Sequence, residues 1–282
     1  MVIRDELSKI ISEFKQHGND NPIFEAHLIM RWYLKMSPME LVLEAKSEIA
    51  ENVLEEIENA AGRRCMNEPI QYILGSQEFM GIEFAVNESV LIPRQDTETL
   101  VETVLKHFTN KGFTGLDIGC GSGCISISLA HYNQKAYMRG IDISEKAVET
   151  AQKNAELNKV ENRTVFVQAD IFNFDAYGKY DLIVSNPPYI KHKDIETLDE
   201  NVRMYEPHTA LDGGEDGLDF YRQIVKIAPL LLRKDGLIAF EIGIGQENDV
   251  KAMLEENGFY DVEMIRDLCG VNRVVTGKNS KY

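Results

Sequence analysis

Apolar residues across positions 1–75 recur three and four apart, the period of helices that bury one face. Ile3, Leu7, Ile10, Ile11 and Phe14 share such a face, and Gly18 supplies a stop. A second helix is predicted after Asn21, with Pro22 at its first position and Phe24, Leu28, Ile29, Trp32 and Tyr33 along it. Ser37-Pro38-Met39-Glu40 has the spacing of a capping box. A further helix is predicted over about 47–61, with Ile49, Val53, Leu54 and Ile57 inward. Short amphipathic helices joined by short turns make a small bundle. The period then changes. From Glu78 to Val86 apolar residues alternate in twos around Gly81, which predicts a β-hairpin, and a helix follows from about Asp96 to Phe108.

From 114 onward, strand-like and helix-like runs take turns. Strands are predicted over 115–118, 136–141, 164–168, 180–185 and 237–242. Helices are predicted over 122–131, 145–157, 218–232 and 247–257, with Ser144 as an N-cap. Such alternation predicts an α/β fold, a doubly wound and mostly parallel sheet. Two last β-like runs, 262–265 and 273–276, predict a terminal hairpin that makes one strand antiparallel. The predicted organisation is a helical domain over 1–77, a β-hairpin connector over 78–92 and an α/β domain over 93–282.

Candidate chemistry gathers where predicted strands end. Leu116-Asp117-Ile118-Gly119-Cys120-Gly121-Ser122-Gly123 follows a strand and opens a helix. Glycines there admit close backbone approach, and the helix start offers free N–H groups. A dinucleotide fingerprint wants Gly-x-Gly-x-x-Gly, whereas this loop reads Gly-x-Gly-x-Gly with Cys at 124. Asp117 also fits poorly beside a pyrophosphate. A carboxylate there suits a ligand with a positively charged amino group and no phosphate, as in S-adenosylmethionine. Asp142 closes the next strand, 19 residues beyond Gly123, where nucleoside-binding α/β folds hold a ribose hydroxyl. A helix-start charge is the plainer account of Asp142 taken alone. Asp170 and Ile171 close the third strand, which would border an adenine pocket; a turn aspartate explains Asp170 nearly as well.

Asn186-Pro187-Pro188-Tyr189 directly follows the strand at 180–185. Two prolines remove two backbone donors and stiffen the turn. The Asn186 side chain and a neighbouring carbonyl, taken as that of Pro187, are left as acceptors facing the cleft. Two acceptors suit the two hydrogens of an NH₂ on a planar group, and Tyr189 can stack on that group. The position next to the first strand is where doubly wound sheets bind ligands.

With these residues in view, the sequence resembles the class I S-adenosylmethionine-dependent methyltransferases. It most resembles the HemK/PrmC family of release-factor-specific protein-(glutamine-N5) methyltransferases. The residues that carry the likeness include Glu68-Pro-Ile-Gln-Tyr-Ile-Leu-Gly75, Glu78-Phe-Met-Gly81, Leu91-Ile-Pro-Arg-Gln-Asp-Thr-Glu98, Asp117–Gly123 and Asp181–Ile190. Tyr205-Glu-Pro207, Ala210-Leu211, Gly214–Arg222 and Glu241-Ile-Gly243 extend it. Gln95 departs from the family, which often has Pro there.

The resemblance implies methylation of the glutamine side-chain amide in the Gly-Gly-Gln tripeptide of class-1 peptide chain release factors. S-adenosylmethionine would be the donor, S-adenosylhomocysteine the product, and no metal is needed. Asp117, Gly119, Cys120, Gly121, Ser122, Gly123, Asp142, Asp170, Ile171 and Asn186 would hold the cofactor. Asn186, Pro187, Pro188 and Tyr189 would grip the glutamine amide, with Asn186, Pro187 and Tyr189 as the catalytic set. The helical bundle would contact the rest of the release factor. Arg94, Asp96 and Thr97 would close over the cofactor, although helix start and loop packing explain them almost as well.

Charge separates this reading from its nearest rival, an adenine-N6 methyltransferase on DNA or RNA, which can use the same four-residue motif. The 282 residues carry 30 Lys+Arg against 46 Asp+Glu, a formal net charge of −16. The first 80 hold 8 basic and 14 acidic residues, so neither part offers a platform for a polyanion. A partner that is protein rather than nucleic acid is therefore expected. Two other readings, a catalytically silent cofactor-binding adaptor and an NAD-dependent oxidoreductase, conflict with the intact Asn186–Tyr189 motif and with the glycine spacing. No run approaches the ~20 apolar residues of a membrane span, and the N-terminus lacks a signal-peptide pattern. The four cysteines, Cys65, Cys120, Cys124 and Cys269, form no paired framework, so a reduced, cytoplasmic chain with no membrane partner is expected.

Overall fold

Pro22 and Pro38 each open a helix because a first-turn residue needs no N–H partner. They belong to the first of two units in the computed structural model, which describes residues 1–174 and 179–281. That unit holds Met1–Gly75 and Asp199–Tyr205; the second holds Ser76–Leu198 and Glu206–Tyr282. Positions 175–178 and 282 of the expected 93–282 domain lie outside the described residues.

In the first unit, α1 (Ile3–Gln16), α2 (Pro22–Leu34), α3 (Pro38–Leu43), α4 (Glu51–Cys65) and α5 (Ile70–Leu74) surround a core. Ile3, Ile10, Phe14, Ala26, Ile29, Met30, Leu41 and Ile57 are buried in it. The capping box at α3 forms in both directions: Glu40 N–H donates to Ser37 Oγ at 3.3 Å, and Ser37 N–H donates to Glu40 Oε2 at 2.8 Å. Two details depart from the sequence pattern. α4 begins at Glu51, because Ser47 and Ile49 pair in extended form with the N-terminus: Ile3 N–H donates to Ser47 O at 3.1 Å and Ile49 N–H to Met1 O at 3.0 Å. Phe24 is exposed, since it stands about 200° around the helix from the buried Ala26. A short helix, Glu200–Tyr205, completes this unit through Asn67 Nδ2 to Glu200 Oε2 (2.6 Å) and Tyr205 OH to Met66 O (2.7 Å).

The second unit opens on a hairpin, β1 (Ser76–Phe79) and β2 (Ile82–Ala85). Its two-residue turn has positive φ at Met80 (52°) and Gly81 (72°), the mirror-type turn that matches strand twist. The hairpin is fastened inside this unit. Met80 N–H donates to Glu98 Oε1 at 2.7 Å, and Asn158 Nδ2 donates to Glu83 O at 2.9 Å.

The main sheet has seven strands: β3 (Phe113–Ile118), β4 (Ala136–Asp142), β5 (Thr164–Gln168), β6 (Tyr180–Ser185), β7 (Leu232–Glu241), β8 (Phe259–Arg266) and β9 (Asn272–Asn279). Their order is β5-β4-β3-β6-β7-β9-β8, and β9 runs antiparallel to both its neighbours. Successive side chains go to opposite faces. Leu182 and Val184 enter one core with Leu237 and Ala239, while Ile183 enters the other with Ile238 and Phe240. Both faces are covered by helices, among them α6 (Gln95–His107), α7 (Cys124–Tyr132), α8 (Glu145–Leu157) and Asp219–Leu231. β7 starts five residues before its apolar run, because Leu232 pairs with Tyr180 across a bulge while Arg233, Lys234 and Asp235 stay exposed. Chain order reverses between β3 and β6, which opens a crevice at the carboxyl ends of these strands.

Candidate active site

The loop after β3 is tied to the end of β4. Gly119 N–H and Cys120 N–H both donate to Ile141 O, at 2.9 and 3.0 Å. Gly121 N–H donates to Asp142 Oδ2, and Ser144 N–H to Asp142 Oδ1, each at 2.9 Å. One carboxylate thus orients the glycine loop and the start of α8, and keeps lone pairs for a ligand. Gly123 requires glycine twice over. Its φ is +79°, and a Cβ would lie 2.9 Å from Ile127 Cδ1 and 3.1 Å from Ala151 Cβ. Side chains at Gly119 and Gly121 would meet nothing within 4 Å, so the loop backbone is open on that side.

Asp117 lies behind the loop, with no exposed surface. Ser126 Oγ donates to its Oδ2 at 2.8 Å, and its Oδ1 has no hydrogen-bond partner among the described residues. Burial pushes its carboxyl up to about 7, against the lowering effect of Ser126. Asp142 is raised by the same cause, although it accepts backbone hydrogen bonds that favour the anion. Asp170 caps a single helical turn, accepting from Phe172 N–H at 2.9 Å and from Asn173 Nδ2 at 2.7 Å.

β6 ends against β3 through Ser185 Oγ, which donates to Ile118 O at 2.6 Å. Beyond it the turn is closely backed. A Cβ on Gly213 would come 2.7 Å from Pro188 O, and one on Gly217 would come 2.4 Å from Tyr189 O. Asn186 Nδ2 donates to Thr97 Oγ1 at 3.2 Å, so its Oδ1 is the end left for the cleft. Tyr189 OH donates to Glu241 Oε1 at 3.5 Å, and Gln246 Nε2 donates to Tyr189 O at 3.0 Å.

A cleft of about 300 Å³ unites these parts. Gly119, Gly121, Asp142, Asp170, Ile171, Asn186, Pro187 and Pro188 line it. Asp117, Cys120, Ser122 and Gly123 stand behind that surface, and Tyr189 turns toward Glu241. Arg94, Asp96 and Thr97 are also set back. Arg94 pairs with the buried Glu206, Asp96 pairs with Arg273 at 2.8 Å, and Thr97 receives Asn186. Of the rest of the wall, Ser89, Val90, Ile143, Phe172, Thr209 and Asp212 carried no motif of their own, while Leu91 and Phe220 come from the runs 91–98 and 214–222. Phe172 and Phe220 meet edge to face at 5.3 Å, an apolar end suited to a planar ring.

A glycine loop and paired acids at a switch point, beside an Asn-Pro-Pro-Tyr turn, define a methyltransferase site. Residues 94–205 match the Methyltransferase small domain and 6–75 the PrmC N-terminal domain. Two solved structures share the fold. One is a methyltransferase from Pyrococcus furiosus, at TM-score 0.54 and 19% identity, covering 79% of this chain and 99% of that one. The other is the hMettl16 catalytic domain in complex with an RNA hairpin, at TM-score 0.57 and 18% identity, covering 78% and 81%. Sequence relatives are nearer. The release factor glutamine methyltransferase of Geobacter sulfurreducens is 41% identical over 98% of this chain and 96% of its own length. That of Fusobacterium nucleatum is 40% identical over 98% and 78%. The chain belongs to the release factor glutamine methyltransferase family.

Proposed function

We propose that the protein transfers a methyl group to the side-chain amide nitrogen of the Gly-Gly-Gln glutamine in class-1 release factors, with S-adenosylmethionine as donor. The observation that carries this reading is Asn186, anchored by its NH₂ end on Thr97 at the rim of the cleft. Its Oδ1 is then an acceptor, and the Pro187 carbonyl is the second. Together they suit a primary amide, whose two N–H groups need two acceptors in a fixed plane.

The residues present fit the cofactor. Asp117 keeps an unpartnered buried oxygen behind the loop, and the open side of Gly119 and Gly121 admits close approach. Asp117 would attract the amino group through the loop, Asp142 would accept from ribose hydroxyls, and Asp170 with Ile171 would border the adenine. The cofactor supplies a methyl on a sulfonium sulfur, which is already a good leaving group. The protein's own contribution is alignment. Proline removes competing N–H donors at 187 and 188, and the glycines beneath hold the turn rigid. The N-terminal bundle, in this reading, recognises the rest of the release factor.

The test is direct. The protein is incubated with S-adenosylmethionine and either a release factor or oligonucleotides, and methyl groups are mapped by mass spectrometry. Methyl is expected on the Gly-Gly-Gln glutamine. Methyl on nucleic acid and never on that glutamine would overturn the assignment.

A further inference from the structure

We propose that Arg94 and Glu206 are positioning residues whose ion pair closes a ring of chain at the cleft and holds the wall Pro207–Asp212 against an S-adenosyl ligand. That such a ligand fills the cleft rests on the function proposed above; the ring does not. The ring is continuous. Arg94, the residue before α6, donates through Nη2 to Glu206 Oε1. Glu206 leads into a tight turn, in which Ala210 N–H donates to Pro207 O at 2.8 Å and Leu211 N–H to His208 O at 3.0 Å. Ile190 N–H donates to Leu211 O at 3.0 Å, and Gly213 N–H to Ile190 O at 2.8 Å, so the turn is fastened to the residue after Tyr189. From Ile190 the chain runs back to Asn186, whose Nδ2 donates to Thr97 Oγ1 at 3.2 Å. Thr97 N–H donates to Arg94 O at 3.1 Å, which brings the ring back to its start. Pro207, Thr209 and Asp212 line the cleft from one arc of this ring, and Asn186 and Pro188 from another.

The links at Ile190 are backbone hydrogen bonds, and Thr97 is carried by a helix. Glu206 is different. The short helix before it, Glu200–Tyr205, belongs to the first unit, so within its own unit the leading end of the wall is tied through the Glu206 side chain. That side chain is 1% exposed, and its Oε2 has no hydrogen-bond partner among the described residues, so Arg94 carries the pairing. For stability alone, two well-packed apolar side chains often serve as well as a buried ion pair. What the pair adds is a fixed separation and direction between the two segments that carry it. Arg94 is itself 42% exposed and does not line the cleft, so it acts on the ligand space through Glu206. Without Arg94 the buried carboxylate has no counter-charge and is drawn toward water, and Pro207, the next residue, moves with it.

Two measurements on the full chain test this. In the ligand-free protein, hydrogen exchange read by mass spectrometry should be about tenfold faster or more over 207–213 in Arg94→Ala, with peptides from β3 and β4 unchanged. S-adenosylhomocysteine binding, read by calorimetry, should weaken about tenfold in the same variant, because a wall in place only about a tenth of the time divides the affinity accordingly. Arg94→Lys keeps the charge and should restore both readings. The double variant Arg94→Ala with Glu206→Gln should also recover most of both losses, since it removes the unpaired charge together with its partner. Natural exchange and natural affinity in Arg94→Ala would overturn the proposal. So would a double variant no better than Arg94→Ala, which would mean that Arg94 meets the ligand itself. A natural protein that leaves a Gly-Gly-Gln peptide unmethylated, with exchange over 207–213 still following the pair, would uphold the ring and remove the substrate assignment alone.

Discussion

Asn186 has its nitrogen spent on Thr97 and its oxygen free, so what it can offer a ligand is acceptance. That asymmetry makes a sharp prediction. Asn186→Ala should cut methyl transfer by about a hundredfold or more, the usual cost of losing one preorganised electrostatic contact. Binding of S-adenosylhomocysteine, which the glycine loop and Asp142 would dominate, should weaken only severalfold. Calorimetry and peptide turnover measured together check both halves. Turnover within twofold of the natural protein would take Asn186 out of the mechanism. At this scale the sequence was already explicit, because Asn-Pro-Pro-Tyr is contiguous. It did not show Thr97, 89 residues away, since no local pattern marks a hydroxyl that meets an amide across the fold.

Between elements, the glycine loop is held by a side chain no motif announces. Asn154, fully buried on α8, donates through Nδ2 to Ser122 O and to Ala85 O, each at 2.9 Å, and accepts from Ala85 N–H at 2.7 Å. One carboxamide thus joins helix, hairpin and loop. Asn154→Ala would take this partner from the half-buried Ala85 N–H and carbonyl and from the buried Ser122 carbonyl, at about 1–3 kcal/mol for each group that water cannot reach. The expected outcome is a clearly lower Tm together with weaker cofactor binding, read by thermal melts with and without S-adenosylhomocysteine. A variant with unchanged melting and unchanged affinity would show that the hairpin does not brace the loop. The sequence placed the hairpin correctly around Gly81 and predicted it as a connector. Its fastening to Glu98, Asn154 and Asn158 is tertiary, carried by polar side chains that look like ordinary surface residues of amphipathic helices.

For the whole molecule, buried acid sets how stability follows pH. Burial holds Asp117 and Glu241 each up to about 7, from ordinary values of 3.8 and 4.5. The folded state therefore keeps protons that the unfolded chain has already released. Stability from these two groups is whole below about pH 3.8 and falls as pH rises toward about 7. Asp117→Asn removes one of them while preserving shape. The ligand-free variant should melt about 3 °C or more above the natural protein at pH 8, with a smaller gap at pH 5.5. Its affinity for S-adenosylmethionine should fall, because the charge that destabilises the empty fold would serve the ligand. Melting curves with the same pH dependence in both proteins would show that Asp117 does not titrate in this way.

The sequence by itself determined the strands and helices of the α/β unit, the antiparallel strand near the C-terminus, the glycine loop and the Asn-Pro-Pro-Tyr turn. Each of these is written in neighbouring residues, as a hydrophobic period or as a run of residues with restricted backbones. Only the tertiary structure decided that Glu200–Tyr205 belongs with the N-terminal bundle. It also turned Tyr189 toward Glu241 and set Phe172 beside Phe220. Those outcomes depend on which distant residues share a buried volume. A buried carboxyl, hydroxyl or ring finds its partner through the packing of whole elements, and spacing along the chain carries no record of that meeting.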